Sequence, residues 1–304
     1  MDLLVVGGSG LLGREVVAQA RRAGAVVAAT FYSGGPGSGG DRAEPVGAAK
    51  DHAEGGDRAE PVDAAKDHAE DGDGVAWHRL DITDRGAVAR LLQRTKPAAV
   101  INAAYRQADW ATTADGAMHV AAAAAAAGAR LVHVSSDAVF SGRSGTYDES
   151  CPPCPGTVYG AAKAAAETAV KGLDPDAVIV RTSLIVGDVP AGRDVVAQVH
   201  ALARGDADGV LFTDDVRCPI GVGDLAAALL GFAASPGRGI RHIAGGDALS
   251  RYALGLLIAR RDGLDVSRLR PGLRAGTGLP GALDVRLVSA IEGVPGSSAR
   301  LAGS

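Results

Sequence analysis

The feature that most constrains this chain is an alternation of short apolar runs with stretches of helical spacing. Leu3-Leu4-Val5-Val6 runs directly into Gly7-Gly8-Ser9-Gly10-Leu11-Leu12-Gly13, and helical spacing follows from about Leu11 to Ala23. Further apolar runs stand at Ala25–Thr30, Val75–Leu80, Ala98–Ile101, Leu131–Val134 and Val178–Val180. Between them lie helical stretches at Gly86–Thr95, Ala114–Ala127 and about Ala161–Lys171. Gly128 supplies the left-handed residue that commonly ends a helix. A strand that is apolar at every position has to be covered on both faces, and the intervening helices provide the cover. The expectation is an α/β fold built on a doubly wound parallel sheet.

Past Ser183 the pattern loosens, with helices expected at Asp224–Phe232 and Arg251–Arg260. The expected organisation is therefore a ligand-binding domain over residues 1–182 and a smaller lobe over 183–304. Such a lobe would cover the carboxyl edge of the sheet, where open α/β sheets bind ligands.

One segment breaks the alternation. Gly39–Glu54 recurs as Gly55–Glu70 with a single change, Gly47 against Asp63. Two polar copies with few large apolar residues cannot bury much surface, so residues 34–74 are expected to form a mobile surface insertion.

Composition excludes more than it identifies. Lys and Arg (31) nearly balance Asp and Glu (35), giving a net charge of -4 and no footprint for nucleic acid. No apolar stretch reaches membrane-spanning length. The three cysteines, Cys151, Cys154 and Cys218, form no disulfide framework, and a cytoplasmic protein is expected. Cys151-Pro152-Pro153-Cys154 lies in a Pro-rich loop and not at a helix start, so it reads as loop; no metal site is expected.

The glycine loop gains its meaning from its position. With 43 glycines in 304 residues, about one such spacing is expected by chance. Directly after a first strand and opening a helix, however, glycines let the backbone approach a pyrophosphate at the helix N-terminus, as in a Rossmann domain. Candidate dinucleotide contacts are Gly7, Ser9, Gly10, Leu11, Leu12, Gly13 and Arg14. The second strand ends in Thr30-Phe31-Tyr32-Ser33 with no carboxylate to hold a ribose 2′-hydroxyl or repel a 2′-phosphate. NADP(H) is accordingly expected over NAD(H), with Arg14 in support.

Tyr159-Gly160-Ala161-Ala162-Lys163 is more specific. Five tyrosines and five lysines give roughly 0.08 chance pairs at spacing four. On a helix, such residues share a face. An ammonium about 5 Å from a phenol would favour phenolate by about 3 kcal/mol, roughly two units off a phenolic value near 10. A phenol tuned in this way can exchange a proton near neutral pH. Upstream, Ser135-Ser136-Asp137 closes a strand, where a hydroxyl can orient a carbonyl.

These segments, with Ile101–Tyr105, His133–Gly142, Tyr147–Glu149, Tyr159–Glu167, Val180–Gly187 and Leu211–Ala226, follow in the order of the extended short-chain dehydrogenase/reductase family. The chain most resembles the dTDP-4-dehydrorhamnose reductase-like, sugar-nucleotide-binding branch. The resemblance spans nearly the whole chain except the duplication and the last ~20 residues. It implies that Ser136 polarises a substrate carbonyl, Tyr159 donates the proton, and Lys163 also holds the nicotinamide ribose. It places Asp81 and Ile82 at the adenine, Ala103 and Ala104 beside the cofactor, Asp137 at the substrate, and Arg217 at the substrate's sugar-nucleotide phosphate.

Three departures bear on the substrate. Only Arg106–Thr112 separates the Ala103-Ala104 segment from the next helix, Thr113 stands where the family has asparagine, and Asp214-Asp215 replaces Asp-Gln. The reading implied is NAD(P)H-dependent reduction of a ketone on a nucleotide sugar or related metabolite. The alternatives are a nucleotide-sugar epimerase or dehydratase with bound cofactor and a non-catalytic NADP-binding regulatory subunit. Ala138 after Asp137, where dehydratases carry glutamate, argues against dehydration. A small-molecule partner is expected, no nucleic acid or membrane partner, and a homodimer is an open assembly.

Overall fold

The computed structural model describes residues 1–33, 68–70, 74–192 and 194–290. Its first half follows the alternation: β1 (Asp2–Val6), α1 (Leu11–Arg22), β2 (Val26–Phe31), β3 (His68–Glu70), β4 (Ala76–Arg79), α2 (Arg85–Thr95), β5 (Ala99–Asn102), α3 (Gly116–Ala127), β6 (Arg130–Ser136), β7 (Thr146–Tyr147), α4 (Val158–Leu173) and β8 (Val178–Thr182). The second half adds β9 (Ile185–Val186), α5 (Val195–Arg204), β10 (Leu211–Phe212), β11 (Val216–Arg217), β12 (Ile220–Gly221), α6 (Val222–Ala234), β13 (Gly239–Ile243), β14 (Leu249–Ser250), α7 (Arg251–Arg261), β15 (Pro271–Gly272) and β16 (Arg286–Leu287).

The main sheet has the order β13-β8-β6-β5-β1-β2-β4-β3. It is parallel throughout except at β3, which pairs antiparallel with β4. Its strands cannot be amphipathic, because both faces are covered. In β1, Leu3 and Val5 pack with Leu12, Val16 and Leu225 on one side, while Leu4 and Val6 pack with Val88, Leu91 and Val120 on the other. From β1 the chain order runs outward to β2 and β4 in one direction and to β5, β6 and β8 in the other. β1 is thus the switch point of the sheet, and a crevice opens beyond the carboxyl ends of such strands.

The boundary expected after residue 182 is not where the sheet ends. α6 contributes Val222, Leu225, Ala228 and Leu229 to the core beneath α1, and β13 pairs with β8 at the edge of the main sheet. The chain leaves the sheet after β8 and returns for residues 220–243 before leaving again. A second core of Val196, Val199, Leu202, Leu211, Leu254 and Ile258 joins α5 and α7 in the smaller lobe. Gly255 permits the close approach there, since a Cβ on it would stand 2.3 Å from Leu211 Cδ1.

α5 was not expected from the sequence, although its signals are ordinary. Asp194 caps it by accepting from the Ala197 N–H at 2.7 Å, and Gly205 ends it at φ +79. β13 was obscured by Arg241 and His242, polar residues in a sheet-edge strand. Of the insertion expected over 34–74, residues 34–67 and 71–73 lie outside the described residues, and 68–70 form β3. Among the described residues, no helix is long and apolar enough to cross a membrane, and no group of three or more His, Cys, Asp or Glu could hold a metal ion.

Candidate active site

The glycine loop is built to bring backbone close to backbone. Gly7 has φ +83, and a Cβ on it would lie 2.8 Å from the Ala104 backbone. A Cβ on Gly13 would lie 2.1 Å from the Gly7 carbonyl oxygen. Neither position tolerates a side chain, for a steric reason in both cases and a conformational one at Gly7. Thr30 fixes the turn from β2, its buried hydroxyl accepting the Gly7 N–H at 3.0 Å. α1 opens at Gly10 with no side-chain cap and no acidic residue in its first turn. Its leading N–H groups and the positive end of its dipole suit an anion. The loop therefore fits a dinucleotide pyrophosphate.

The other expected cofactor contacts are placed as follows. Leu12 is part of the core under β1 and offers a ligand only its backbone, while Arg14 is exposed on α1. Ser9 and Leu11 stand at the loop and the first helical residue, both half-buried. Asp81 accepts from the backbone N–H and hydroxyl of Thr83 at 2.9 and 2.7 Å, which shapes the turn after β4. Ile82 is buried against Gly116, where a Cβ would stand 2.5 Å from its side chain. Ala103 donates its N–H to the Val6 carbonyl, and Ala104 donates to Asn102 Oδ1 at 3.2 Å.

Tyr159 is the second residue of α4, whose start Thr157 caps by accepting the Gly160 N–H at 3.0 Å. Gly160 decides how close that start comes to the end of β6. A Cβ there would sit 2.1 Å from the Ala138 carbonyl oxygen, so only glycine lets Tyr159 reach Ser136. The Ser136 hydroxyl lies near enough to the phenol to favour its ionised form. Ser136 also accepts the Ala138 N–H at 3.2 Å and donates to Asp137 Oδ1 at 3.3 Å.

Lys163 lies one turn further along α4, only 2% exposed, and donates to the Val134 carbonyl at 2.9 Å. Its ammonium stands 5.0 Å from the Tyr105 ring centre, and the rings of Tyr105 and Tyr159 are 5.8 Å apart. Burial lowers the Lys163 pKa to about 8, although Glu167 opposes the fall. The phenol behaves contrary to the sequence-based expectation. Burial, with Tyr105 and Asp137 nearby, pushes Tyr159 well above the ordinary tyrosine value, while the Ser136 hydrogen bond pulls the other way. Burial dominates at the phenol, and the Lys163 ammonium donates to a backbone carbonyl. Tyr159 is held protonated, the form a proton donor requires.

Ser135 points away from this group. It donates to Glu167 Oε1 at 2.6 Å, and Glu167 pairs with Arg181 at 2.8 Å with both side chains buried. Asp137 is also buried. Ser183 donates to it at 2.7 Å, Arg217 lies 3.6 Å away, and burial raises its carboxyl. Arg217 was expected to face a substrate phosphate, yet its guanidinium is engaged by the protein. It pairs with Asp215 at 2.9 Å and donates to the carbonyls of Val216, Ala282 and Leu283. Arg251 and Arg274 approach the same Asp215 at 3.4 and 3.5 Å. Asp215 thus organises three arginines, and Arg217 ties the lobe to the end of β6. Cys151, Cys154 and Cys218 are free thiols; the Cys151 carbonyl accepts from Arg181 at 3.1 Å.

Sequence reasoning did not single out Gly160, Thr30, Glu167 or Arg181, nor assign a role to Tyr105. Only Gly160, a small residue inside the Tyr–Lys spacing, carries a local signal. The others act through contacts with residues distant in sequence.

Residues 1–278 match the family described as the RmlD substrate binding domain. A dTDP-4-dehydrorhamnose reductase of Mycobacterium tuberculosis is 36% identical over 207 residues, covering 63% of this chain and 67% of that protein. A probable low-salt glycan biosynthesis reductase of Haloferax volcanii is 32% identical over 239 residues, covering 73% of this chain and 79% of that protein. Among solved structures, a dTDP-4-dehydrorhamnose reductase ortholog of Clostridium acetobutylicum superposes with a TM-score of 0.73 at 25% identity, covering 95% of this chain and 90% of that one. The Bacillus anthracis reductase, crystallised in complex with NADP, gives 0.71 at 21% identity over the same shares.

Proposed function

The chain belongs to the RmlD substrate-binding family, and from that premise we propose that it is an NADPH-dependent oxidoreductase reducing a ketone on a nucleotide-linked sugar. The observation that carries the reading is an unbroken line of contacts. The glycine loop comes close to Ala104, the next residue Tyr105 packs against both Tyr159 and Lys163, and the Ser136 hydroxyl acts on the Tyr159 phenol. A cofactor crevice and a proton donor are adjacent along this line.

In this reading the loop backbone at Gly7, Ser9, Gly10 and Gly13 and the start of α1 hold the pyrophosphate, with Ala103 and Ala104 along one wall. The cofactor, when bound, supplies a hydride to the carbonyl carbon. Ser136 donates a hydrogen bond to the carbonyl oxygen and fixes its position. Tyr159 gives its proton to that oxygen as negative charge develops on it. Lys163, buried against Val134 O on the same helix as Tyr159, would hold the nicotinamide ribose. Asp137 acts through Arg217 to hold the lobe against the end of β6, a positioning role in place of direct phosphate contact. The sheet layer, including residues 220–243, is the cofactor domain, and the lobe around α5 and α7 closes over the sugar.

The test is NADPH oxidation with a panel of nucleotide-linked keto sugars. Tyr159→Phe should lower turnover by roughly 10²–10⁴-fold at saturating NADPH, the usual weight of a positioned general acid. NADPH affinity should stay within about twofold of wild type. Near-wild-type turnover in that variant would remove Tyr159 from the mechanism. Failure of every keto sugar, with NADPH still bound, would favour a regulatory subunit.

A further inference from the structure

Tyr32 and Arg106 meet across the glycine loop. Tyr32 directly follows β2 and is 44% exposed; Arg106 lies four residues past β5 and is also exposed. β1, which leads into the loop, is the strand between β2 and β5. The Arg106 guanidinium carbon nevertheless stands 4.1 Å from the Tyr32 ring centre.

This placement is imposed by the backbone. Arg106 donates its N–H to Thr113 Oγ1 at 3.1 Å, and the same hydroxyl donates to the Arg106 carbonyl at 2.6 Å. Thr113 is 1% exposed and sits in the turn leading into α3, so the anchor is rigid. The short Arg106–Thr112 connection leaves the residue little freedom. Arg79, at the end of β4, donates to the Tyr32 carbonyl at 3.4 Å and adds a second exposed guanidinium. Asp109 is the nearby carboxylate, and its oxygens already accept the Thr112 hydroxyl and N–H at 2.6 and 3.3 Å.

Stacking occupies the face of a guanidinium and leaves its donors free at the edge. The side chain of Arg106 makes no hydrogen bond to any described residue. A planar cation held past the carboxyl ends of β2 and β5, with no carboxylate over Thr30–Ser33, suits a phosphate dianion on the ribose of a dinucleotide laid over the glycine loop.

We propose that Arg106, presented on Tyr32 from the β5 side of the crevice, binds the adenosine 2′-phosphate and sets the preference for NADP(H) over NAD(H). This rests on the reading that the dinucleotide lies over the glycine loop. The preference then comes from an arginine supplied by the opposite side of β1, and the absence of an acid after β2 only permits it.

The experiment is direct binding to the full chain, followed by cofactor fluorescence, with NADPH and NADH measured separately at fixed ionic strength. Wild type should bind NADPH more tightly. Arg106→Ala should weaken NADPH by about 10–100-fold, the weight of one or two charge-assisted hydrogen bonds, and NADH by less than about twofold. Arg106→Lys, which keeps the charge and loses the fork, should fall between. NADPH affinity in wild type should also drop more steeply with salt than in Arg106→Ala. Equal losses for both cofactors, or an unchanged NADPH affinity, would overturn the assignment while leaving the dinucleotide site intact. Failure of wild type to bind either cofactor would overturn the dinucleotide reading itself.

Discussion

Replacing Glu167 by glutamine tests whether the ion pair behind the site holds it together. Arg181 reaches the Glu167 carboxylate through Nε at 3.0 and 3.2 Å and Nη2 at 2.8 Å, and Ser135 donates to it at 2.6 Å. The side chains are 0% and 5% exposed, so water cannot replace the lost charge. The remaining neighbours of Arg181 do not help. Phe140 offers a ring face at 5.0 Å, Cys151 a carbonyl, and burial keeps His242 on the neutral side. Breaking a buried pair from one side costs about 3–5 kcal/mol because the other charge is stranded. At about 2–4 °C per kcal/mol for a domain of 150–250 residues, the melting temperature should fall by roughly 6–20 °C. The double variant Glu167→Met/Arg181→Met removes both charges at similar volume and should recover most of that loss. Urea denaturation of wild type, Glu167→Met, Arg181→Met and the double variant gives the coupling energy of the cycle. A cost below about 1 kcal/mol for Glu167→Gln, or a double variant as unstable as the summed singles, would refute this account.

Two further outcomes follow from the geometry. Gly13→Ala places a methyl group 2.1 Å from the Gly7 carbonyl, so it should cost about 1–3 kcal/mol and abolish dinucleotide binding; Gly10→Ala, with 3.5 Å available, should leave thermal stability nearly unchanged. Equal melting temperatures for wild type and Gly13→Ala would show that the loop has slack. Lys163 has its pKa lowered from 10.5 to about 8, so between those values the unfolded chain binds more protons and stability gains from deprotonation as pH rises. The Lys163→Met variant should lack this gain. Denaturation from pH 7 to 10.5 should show its stability relative to wild type declining by on the order of 3 kcal/mol. A constant difference would mean that Lys163 titrates normally.

The sequence determined the frame and the chemistry within it. Runs such as Leu3–Val6, apolar at every position, require cover on both faces, and this dictates a parallel sheet between helices. Gly7 and Gly13 after β1, and Tyr159 with Lys163 on one helix, are local patterns whose spacing carries their meaning. Tertiary structure decided what depends on neighbours far along the chain. The phenol is raised and not lowered because burial dominates and the Lys163 ammonium is turned to Val134 O. Arg217 serves Asp137 and Asp215 because residues 137, 215 and 282–283 converge on it. The return of α6 and β13 to the sheet was hidden because β13 carries Arg241 and His242, and the residues it pairs and bonds with stand some 60 to 100 positions upstream in the chain. Periodicity and spacing report on a chain's local geometry, whereas burial and charge pairing belong to the folded assembly of distant segments.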